Sequence, residues 1–510
     1  MAEHNFFKKT ISNQHGLRLD ILWVLVILAG FLVIVSLLPL PPNDFWWHLK
    51  IGEYIFTNHN IPSMNMYAWT LPAEQPFFYG AWLADYLFFI LYRYGGLELI
   101  IAARTLILGI TIWLVASEAK RESKSWRISA LVITLLCLMI LNNLIVRTQM
   151  WAWIPFIMTY LVLKRYTAGE LKWQWLLLCP VSMILWVNVH GSFILGLILP
   201  GAFFLGESIS KLLKQPNALN WHQIGWIGCT GALSGIAILI NPRFFEIITY
   251  TINLLTDPPS QKLIDEWQSP TPQGIANIVF FFGIIFFIII LTYSKYRLTP
   301  TEIILYVGFL WLAWSGQRYV IWFGMVSIPS LAHLIKELPL KMPSLTPPKN
   351  WLNLLLVILI FIPVIAVQPW FVKRLPLPEA YWEFVLRDSP SGPLNSVETP
   401  VAAVEYLKSH PGGNLFNEMG YGSYQIWAIP EQKVFADPRV ELYPYEQWQD
   451  YIRINNGTNY NEILTKYGVD RILLDKKLQP ELAALLVNDQ RWKLEYDDQY
   501  AQIWSKVSIR

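Results

Sequence analysis

Between Ile275 and Thr292 the chain runs for 18 residues without a charge. As a helix rising 1.5 Å per residue, that run spans about 27 Å, close to the hydrocarbon thickness of a bilayer. Similar apolar stretches are centred in 21–40, 97–116, 128–146, 150–163, 174–189, 192–209, 224–241, 301–316, 319–335 and 351–370. One soluble fold cannot hide so many apolar helices from water. Of the 510 residues, 54% are hydrophobic and only 15% are charged, against about a quarter charged in ordinary soluble domains. Disorder needs the opposite bias, and a net charge of +3 is too small to imply nucleic acid. The 25 Trp, 24 Tyr and 27 Phe suit rings that settle at membrane–water interfaces. The composition is that of a multi-pass membrane protein.

Charge is unevenly placed. The tail from residue 371 holds 34 of the chain's charged residues, and the apolar runs stop near Trp370. Residues 1–370 therefore read as a transmembrane domain, and 371–510 as a soluble domain large enough for its own core. Cys137, Cys179 and Cys229 all lie in apolar stretches, without disulfide or zinc spacing. The first apolar stretch is longer than a signal h-region and lacks a small-residue cleavage site, so it reads as a retained helix.

Short basic segments set the expected topology. Lys8, Lys9 and Arg18 precede the first span; Lys120, Arg121, Lys124 and Arg127 form one basic loop, and Lys164, Arg165 and Lys172 another. Lys211 and Lys214, Lys295 and Arg297, and Lys336, Lys341 and Lys349 mark three more. All share one side if the apolar stretch 78–94, rich in Tyr and Trp, lies in the interface and does not cross. The result is about eleven spans, a cytoplasmic N-terminus, a long first outer loop at 41–96 and an extracytoplasmic tail.

The costly polar residues then gather on the outer face. Asp44 and His48 belong to the first outer loop, Arg147 to a tight turn, and His190 to W-V-N-V-H-G. Arg243, Asp265 and Glu266 fall in 241–274, and Arg318 in the last short turn. Ionisable groups at such positions are functional candidates by default. Guanidinium groups bind phosphate through forked, charge-assisted hydrogen bonds. An acid opposite them fits group transfer from a lipid-linked phosphate: Asp44 would deprotonate an acceptor hydroxyl while the arginines neutralise the departing phosphate. Plainer readings stand beside these. Asp44 following a Pro pair also suits a helix cap, His48 suits packing, and Asp265–Glu266 suits a solvated loop. Each arginine taken singly suits snorkelling to headgroups.

The pattern N-D-F-W-W-H-L-K-I-G-E-Y-I-F, followed by N-I-P-S-M-N, resembles the GT-C superfamily of integral-membrane glycosyltransferases. The nearest-looking members are bacterial proteins related to protein mannosyltransferases and lipid A aminoarabinose transferases. The likeness continues through Y-G-A-W-L-A-D-Y, V-R-T-Q-M-W, W-V-N-V-H-G-S-F, I-N-P-R-F-F, D-E-W-Q-S-P and S-G-Q-R-Y, then Y-G-S-Y-Q-I-W and V-F-A-D-P-R in the tail. It implies a polyprenyl-phosphate sugar as donor and Asp44 as catalytic base, with an extracytoplasmic glycan, lipid or protein as acceptor. It also implies a bacterial plasma membrane setting. The mannosyltransferases carry Asp-Glu where this chain has Asp44-Phe45, which leaves a divalent metal open. The W-W-D-Y-G block of oligosaccharyltransferases is absent from the tail, which argues against sequon glycosylation.

The tail reads as α/β. A helix over 401–410 stops at Pro411-Gly412-Gly413. Strands are expected near 414–416, 434–436 and 469–474, with helices near 445–454, 460–467 and 480–488. Asp437-Pro438-Arg439 either faces the membrane site and touches the acceptor or is a simple turn. The expected activity is sugar transfer, with Arg147, His190, Arg318 and Arg243 holding donor phosphate. The competing classes are a transporter or flippase for a lipid-linked saccharide and a non-catalytic scaffold. No P-loop or dinucleotide motif is present, and the absence of an internal repeat weighs against transport.

Overall fold

The computed structural model describes residues 20–339, 350–372 and 394–507. Lys8, Lys9, Arg18, Lys341 and Lys349, used in the topology argument, lie outside the described residues. The helices of the apolar body, in chain order, are α1 (Ile21–Leu37), α2 (Phe45–Asn58), α3 (Trp82–Ser123), α4 (Trp126–Met139), α5 (Trp153–Thr167), α6 (Leu178–Val189) and α7 (Leu195–Leu212). There follow α8 (Trp221–Ala237), α9 (Glu246–Thr256), α10 (Pro258–Leu263), α11 (Ile275–Tyr293), α12 (Pro300–Ser315), α13 (Val320–Lys336) and α14 (Asn350–Ala366). Every apolar stretch named above falls on a helix. Four segments are long and apolar enough to cross a membrane: Trp82–Ser123, Gly191–Leu212, Ile275–Tyr293 and Gln317–Lys336. Ile21–Leu37, Trp126–Met139, Trp173–Val189 and Trp351–Ala366 are apolar but shorter.

Burial separates helices at the centre from those at the rim. In α13 every residue except His333 and Lys336 is buried, as expected of a helix surrounded by others. In α11 only Ala276, Asn277, Phe280, Gly283, Ile284 and Phe287 are buried, one stripe at helical spacing. Its other face leaves Ile275, Ile278, Phe282 and Ile285 more than half exposed, an apolar surface that water would not tolerate and a bilayer would. The chain is a membrane protein.

Glycines shape the segment 41–96. Helix α3 is broken at Gly95–Gly96, where Gly96 sits at φ +65, a conformation that favours glycine. Residues 82–94 are thereby set apart from the apolar run after 97. At Gly52, on α2, an added Cβ would lie 2.0 Å from the Asp85 carbonyl oxygen. The missing side chain lets α2 lie directly on the start of α3.

Basic segments meet at one end of the bundle. Arg121 pairs with Glu118 at 2.6 Å and with Glu170 at 2.5 Å, and Glu122 accepts Lys164 at 3.2 Å and His333 at 3.0 Å. Lys164 and His333 lie in the last turns of α5 and α13. The first turns of those two helices, at the opposite end, follow the segments that carry Arg147 and Arg318.

The tail contains α15 (Pro369–Val372), α16 (Val401–Ser409), β1 (Leu415–Asn417), α17 (Met419–Ala428), α18 (Tyr445–Asn455) and α19 (Tyr460–Lys466). It closes with β2 (Arg471–Asp475), α20 (Pro480–Val487), β3 (Trp492–Asp497) and β4 (Ala501–Lys506). The sheet order is β1-β2-β4-β3; β1 and β2 run parallel, and the other pairs are antiparallel. Residues 434–436 do not form a strand of this sheet. Val434 instead makes an isolated parallel bridge with Ala68, between α2 and α3, and Trp47, Ile51, Tyr67 and Phe77 share one hydrophobic core with Phe416, Val434, Phe435 and Trp448 of the tail.

Candidate functional site

The tail also fixes the start of α2, where Asp44 stands. The Ser423 hydroxyl donates to the Asn43 carbonyl at 2.5 Å and accepts the Trp47 backbone N–H at 3.1 Å. Asn43 Oδ1 accepts the Phe45 N–H at 3.2 Å. These contacts satisfy amides that a capping side chain would otherwise serve. Asp44 occupies the N-cap position and makes no capping hydrogen bond, so its carboxylate is left for other partners.

Those partners line a cavity of about 190 Å³. Asp44, His48, Asp85, His190, Glu266 and Arg318 reach it from five separate segments, and Ile247, Leu254, Leu255 and Ile264 give it an apolar wall. Arg147 lies just behind, in a small space shared with Gln149 and Glu266. Its Nε is 3.5 Å from Asp44 Oδ1, and its Nη1 is paired with Glu266. Arg318 Nη1 is 3.6 Å from the same Glu266, and the Arg318 guanidinium lies 4.5 Å from the Trp267 ring centroid. The four ionic groups, two acids and two arginines, therefore alternate and sum to zero.

The electrostatics differ from residue to residue. Burial pushes the Asp44 carboxyl up, but Arg147, His48 and Arg318 together hold it below the usual carboxylate range. Burial holds His190 well below the ordinary histidine range, and the nearby Arg318, His48 and Arg147 add to that effect. His190 is thus neutral, and its tautomer is defined. Its Nδ1 accepts the Ser192 backbone N–H at 3.0 Å, which leaves the proton on Nε2 as a donor.

His48 is arranged the other way. Its Nδ1 lies 2.6 Å from Asp85 Oδ1, and its ring stacks on Trp47 at 3.6 Å between centroids. Asp85, which sequence reasoning did not single out, is 1% exposed. The signal for it is a lone acid in A-D-Y at the start of an apolar helix.

The other candidates are placed differently. Arg243 is 4.0 Å from Glu246 and 5.7 Å from the Phe78 ring centroid, and it does not line the cavity. Asp265 is exposed beside it and contributes only its backbone carbonyl, which accepts from Gln317. Asp437 is fully buried in a two-point pair with Arg439, at 2.8 and 2.7 Å. Arg439 in turn donates to the Tyr79 hydroxyl at 3.2 Å, and Arg439, Pro438 and Glu441 face the cavity. Among the described residues no group of three His, Cys, Asp or Glu side chains is placed to hold a metal. The acids around the cavity are already partnered: Asp44 and Glu266 with arginines, Asp85 with His48, and Glu441 with the Tyr250 hydroxyl at 2.9 Å.

No protein-family model matches the chain, and no curated protein matches it in sequence. Solved structures do. The chain is similar to the archaeal oligosaccharyltransferase AglB from Archaeoglobus fulgidus, solved with an inhibitory peptide and a dolichol-phosphate. The TM-score is 0.51 at 14% identity, over 96% of this chain and 74% of that one. ArnT from Cupriavidus metallidurans, solved with undecaprenyl phosphate, matches with TM-score 0.49 at 12% identity, over 96% and 98% of the two chains. Identities this low speak to the fold alone: the chain shares the fold of AglB.

Proposed function

We propose that this chain is a glycosyltransferase that moves a sugar from a polyprenyl-phosphate carrier to an acceptor at the outer membrane face. The observation that carries the reading is a carboxylate free of capping duty, Asp44, that shares one cavity with Arg318 and His190 and is backed by Arg147. The arginines and His190 supply the donors that a departing phosphate needs, and Asp44 receives the acceptor hydroxyl. The dolichol-phosphate bound to AglB supports the donor class. Arg439 and Glu441 would meet the acceptor, and Arg243 would steer the anionic donor from the rim.

The topology belongs to the same proposal. Eleven spans carry the N-terminus on the cytoplasmic side of a bacterial plasma membrane, and residues 371–510 extend outside it. The test is purified protein in lipid, supplied with labelled polyprenyl-phosphate sugars and envelope glycan, lipid and protein acceptors. Wild-type transfer, lost by at least a hundredfold in Asp44→Asn, is the expected result. Undiminished turnover in Asp44→Asn would remove Asp44 from the chemistry. Wild-type protein that transfers from no donor but moves the carrier lipid across liposomes would make it a transporter.

A further inference from the structure

The sugar-transfer reading leaves one proton without a destination. The acceptor hydroxyl must lose it as its oxygen bonds to the anomeric carbon. The carbon–oxygen bond to phosphate breaks at the same time, and that electron pair leaves on the phosphate oxygen. Asp44 can receive the proton, but the cations around it favour its ionised form, so it is a poor place for the proton to stay.

We infer that His48, fixed by Asp85, is the proton sink of this site. Four observations carry this step, which rests on the proposed transferase reading. His48 and Asp85 both line the cavity that contains Asp44. His48 follows Asp44 by one helical turn, its backbone N–H bonded to the Asp44 carbonyl at 3.2 Å, so the two side chains share a face. With Asp85 ionised, the contact at 2.6 Å between Nδ1 and its carboxylate places the neutral ring's proton on Nδ1, because a carboxylate only accepts. The Nε2 lone pair is then the one available to the cavity. Asp85 Oδ2 is buried and has no hydrogen-bond partner, so this carboxylate has no bonded partner but the imidazole.

Asp44 therefore passes the hydroxyl proton to His48 Nε2. The imidazolium is stabilised against Asp85 and later gives its proton to the released phosphate monoester or to water. Asp85 acts through His48 and is a positioning residue. Gly52, one further turn along α2, makes the contact possible by letting α2 reach the Asp85 backbone. The groups that bear on His48 from surrounding elements are Asp44, Asp85 and His190, with Arg147 and Arg318 acting on Asp44 and His190 beside it and Arg439 lying across Trp47. His190 offers a proton at Nε2 and His48 a lone pair, so the two histidines serve opposite ends of one transfer.

The experiment has two arms on the full chain in lipid. In the first, diethylpyrocarbonate modification of His48 is followed by peptide mass spectrometry in wild type and in Asp85→Asn. His48 should react, and Asp85→Asn should slow it at least tenfold, because an amide that donates to Nδ1 moves the ring proton to Nε2. An unreactive His48, or equal rates in the two proteins, overturns the inference whether or not any donor is turned over. The second arm is transfer by His48→Gln and by His48→Ala with added imidazole. A fall in kcat of about 10²-fold with KM little changed, loss of the acidic limb of the pH profile and rescue by imidazole are expected. Unaltered kcat and pH profile in His48→Gln, with Asp44→Asn inactive, would leave Asp44 as the sole base and overturn His48. Transfer by no protein, wild type included, overturns the transferase reading, and the first arm then decides the His48–Asp85 arrangement by itself.

Discussion

Gly52→Ala should loosen the candidate site from a position that does not itself line it. A Cβ at position 52 would lie 2.0 Å from the Asp85 carbonyl oxygen and 2.9 Å from Phe89 Cβ. Backbone oxygen cannot rotate away, so α2 and α3 must part by about 1.4 Å to restore ordinary van der Waals contact. That displacement takes His48 Nδ1 from 2.6 Å to roughly 4 Å from Asp85, beyond hydrogen-bond reach. Overpacking costs about 1–3 kcal/mol, and a lost charge-assisted hydrogen bond about 1.5–3 kcal/mol. A total of about 3 kcal/mol is expected, read as unfolding at a lower SDS fraction in mixed micelles. The rate of His48 modification should fall in parallel. Gly30→Ala is the control, since a Cβ there meets nothing within 4 Å. Wild-type unfolding together with wild-type His48 reactivity in Gly52→Ala would refute the reasoning.

Glu266→Gln leaves the four-member ionic group with one net positive charge and should tighten undecaprenyl phosphate binding about tenfold, roughly 1.4 kcal/mol; weaker binding by equilibrium dialysis would mean that Glu266 organises the arginines and does not compete for them. Asp437→Asn strands the fully buried Arg439 and should cost about 3–5 kcal/mol, seen as early proteolysis of the tail, with Asp437→Asn/Arg439→Met recovering part of the loss. Glu418, buried beside Asp475, has its carboxyl pushed up to about 7 by burial, against opposing backbone hydrogen bonds. Its folded form holds a proton that the unfolded chain has already released, so stability present below about pH 4.5 falls as the pH rises to about 7, by roughly 3 kcal/mol. Glu418→Gln should flatten that part of the stability profile.

The apolar helices were legible because each must hide or expose a continuous run, and runs are local. The contacts that make the site are not. Whether Asp44 caps its helix is decided by Ser423, whose hydroxyl comes from a helix in the tail. Residues 434–436 have strand-like composition, but their partner is Ala68, and no local pattern announces a pairing of that range. β3 and β4 fall outside the expected strands, although W-K-L-E-Y-D carries the period-2 alternation of a strand. The arginines look alike in sequence. Arg147 follows a tight turn into contact with Asp44 and Glu266, while Arg243 lies along Phe78 at the surface. His48 was singled out from the sequence and Asp85 was not, and the close approach at Gly52 makes them a pair.

Under the proposed transferase reading, charge balance ties the pieces into one cycle. Empty, the four-member group around Asp44 is neutral, since Asp44 and Glu266 offset Arg147 and Arg318. A sugar-bearing polyprenyl phosphate brings one negative charge to that balanced set, so binding has to draw at least one guanidinium from Glu266. Transfer then leaves a phosphate monoester with a second negative charge, while the acceptor hydroxyl gives up a proton to Asp44 and His48. The charge that appears on the leaving group is matched by the imidazolium formed one helical turn from Asp44. Handing that proton to the phosphate cancels both charges, weakens the hold of the arginines on the product, and returns Glu266 to its place between them. In this scheme the proton sink governs product release as much as attack. His48→Gln should therefore accumulate bound polyprenyl phosphate at steady state, which Asp44→Asn, stalled before transfer, should not.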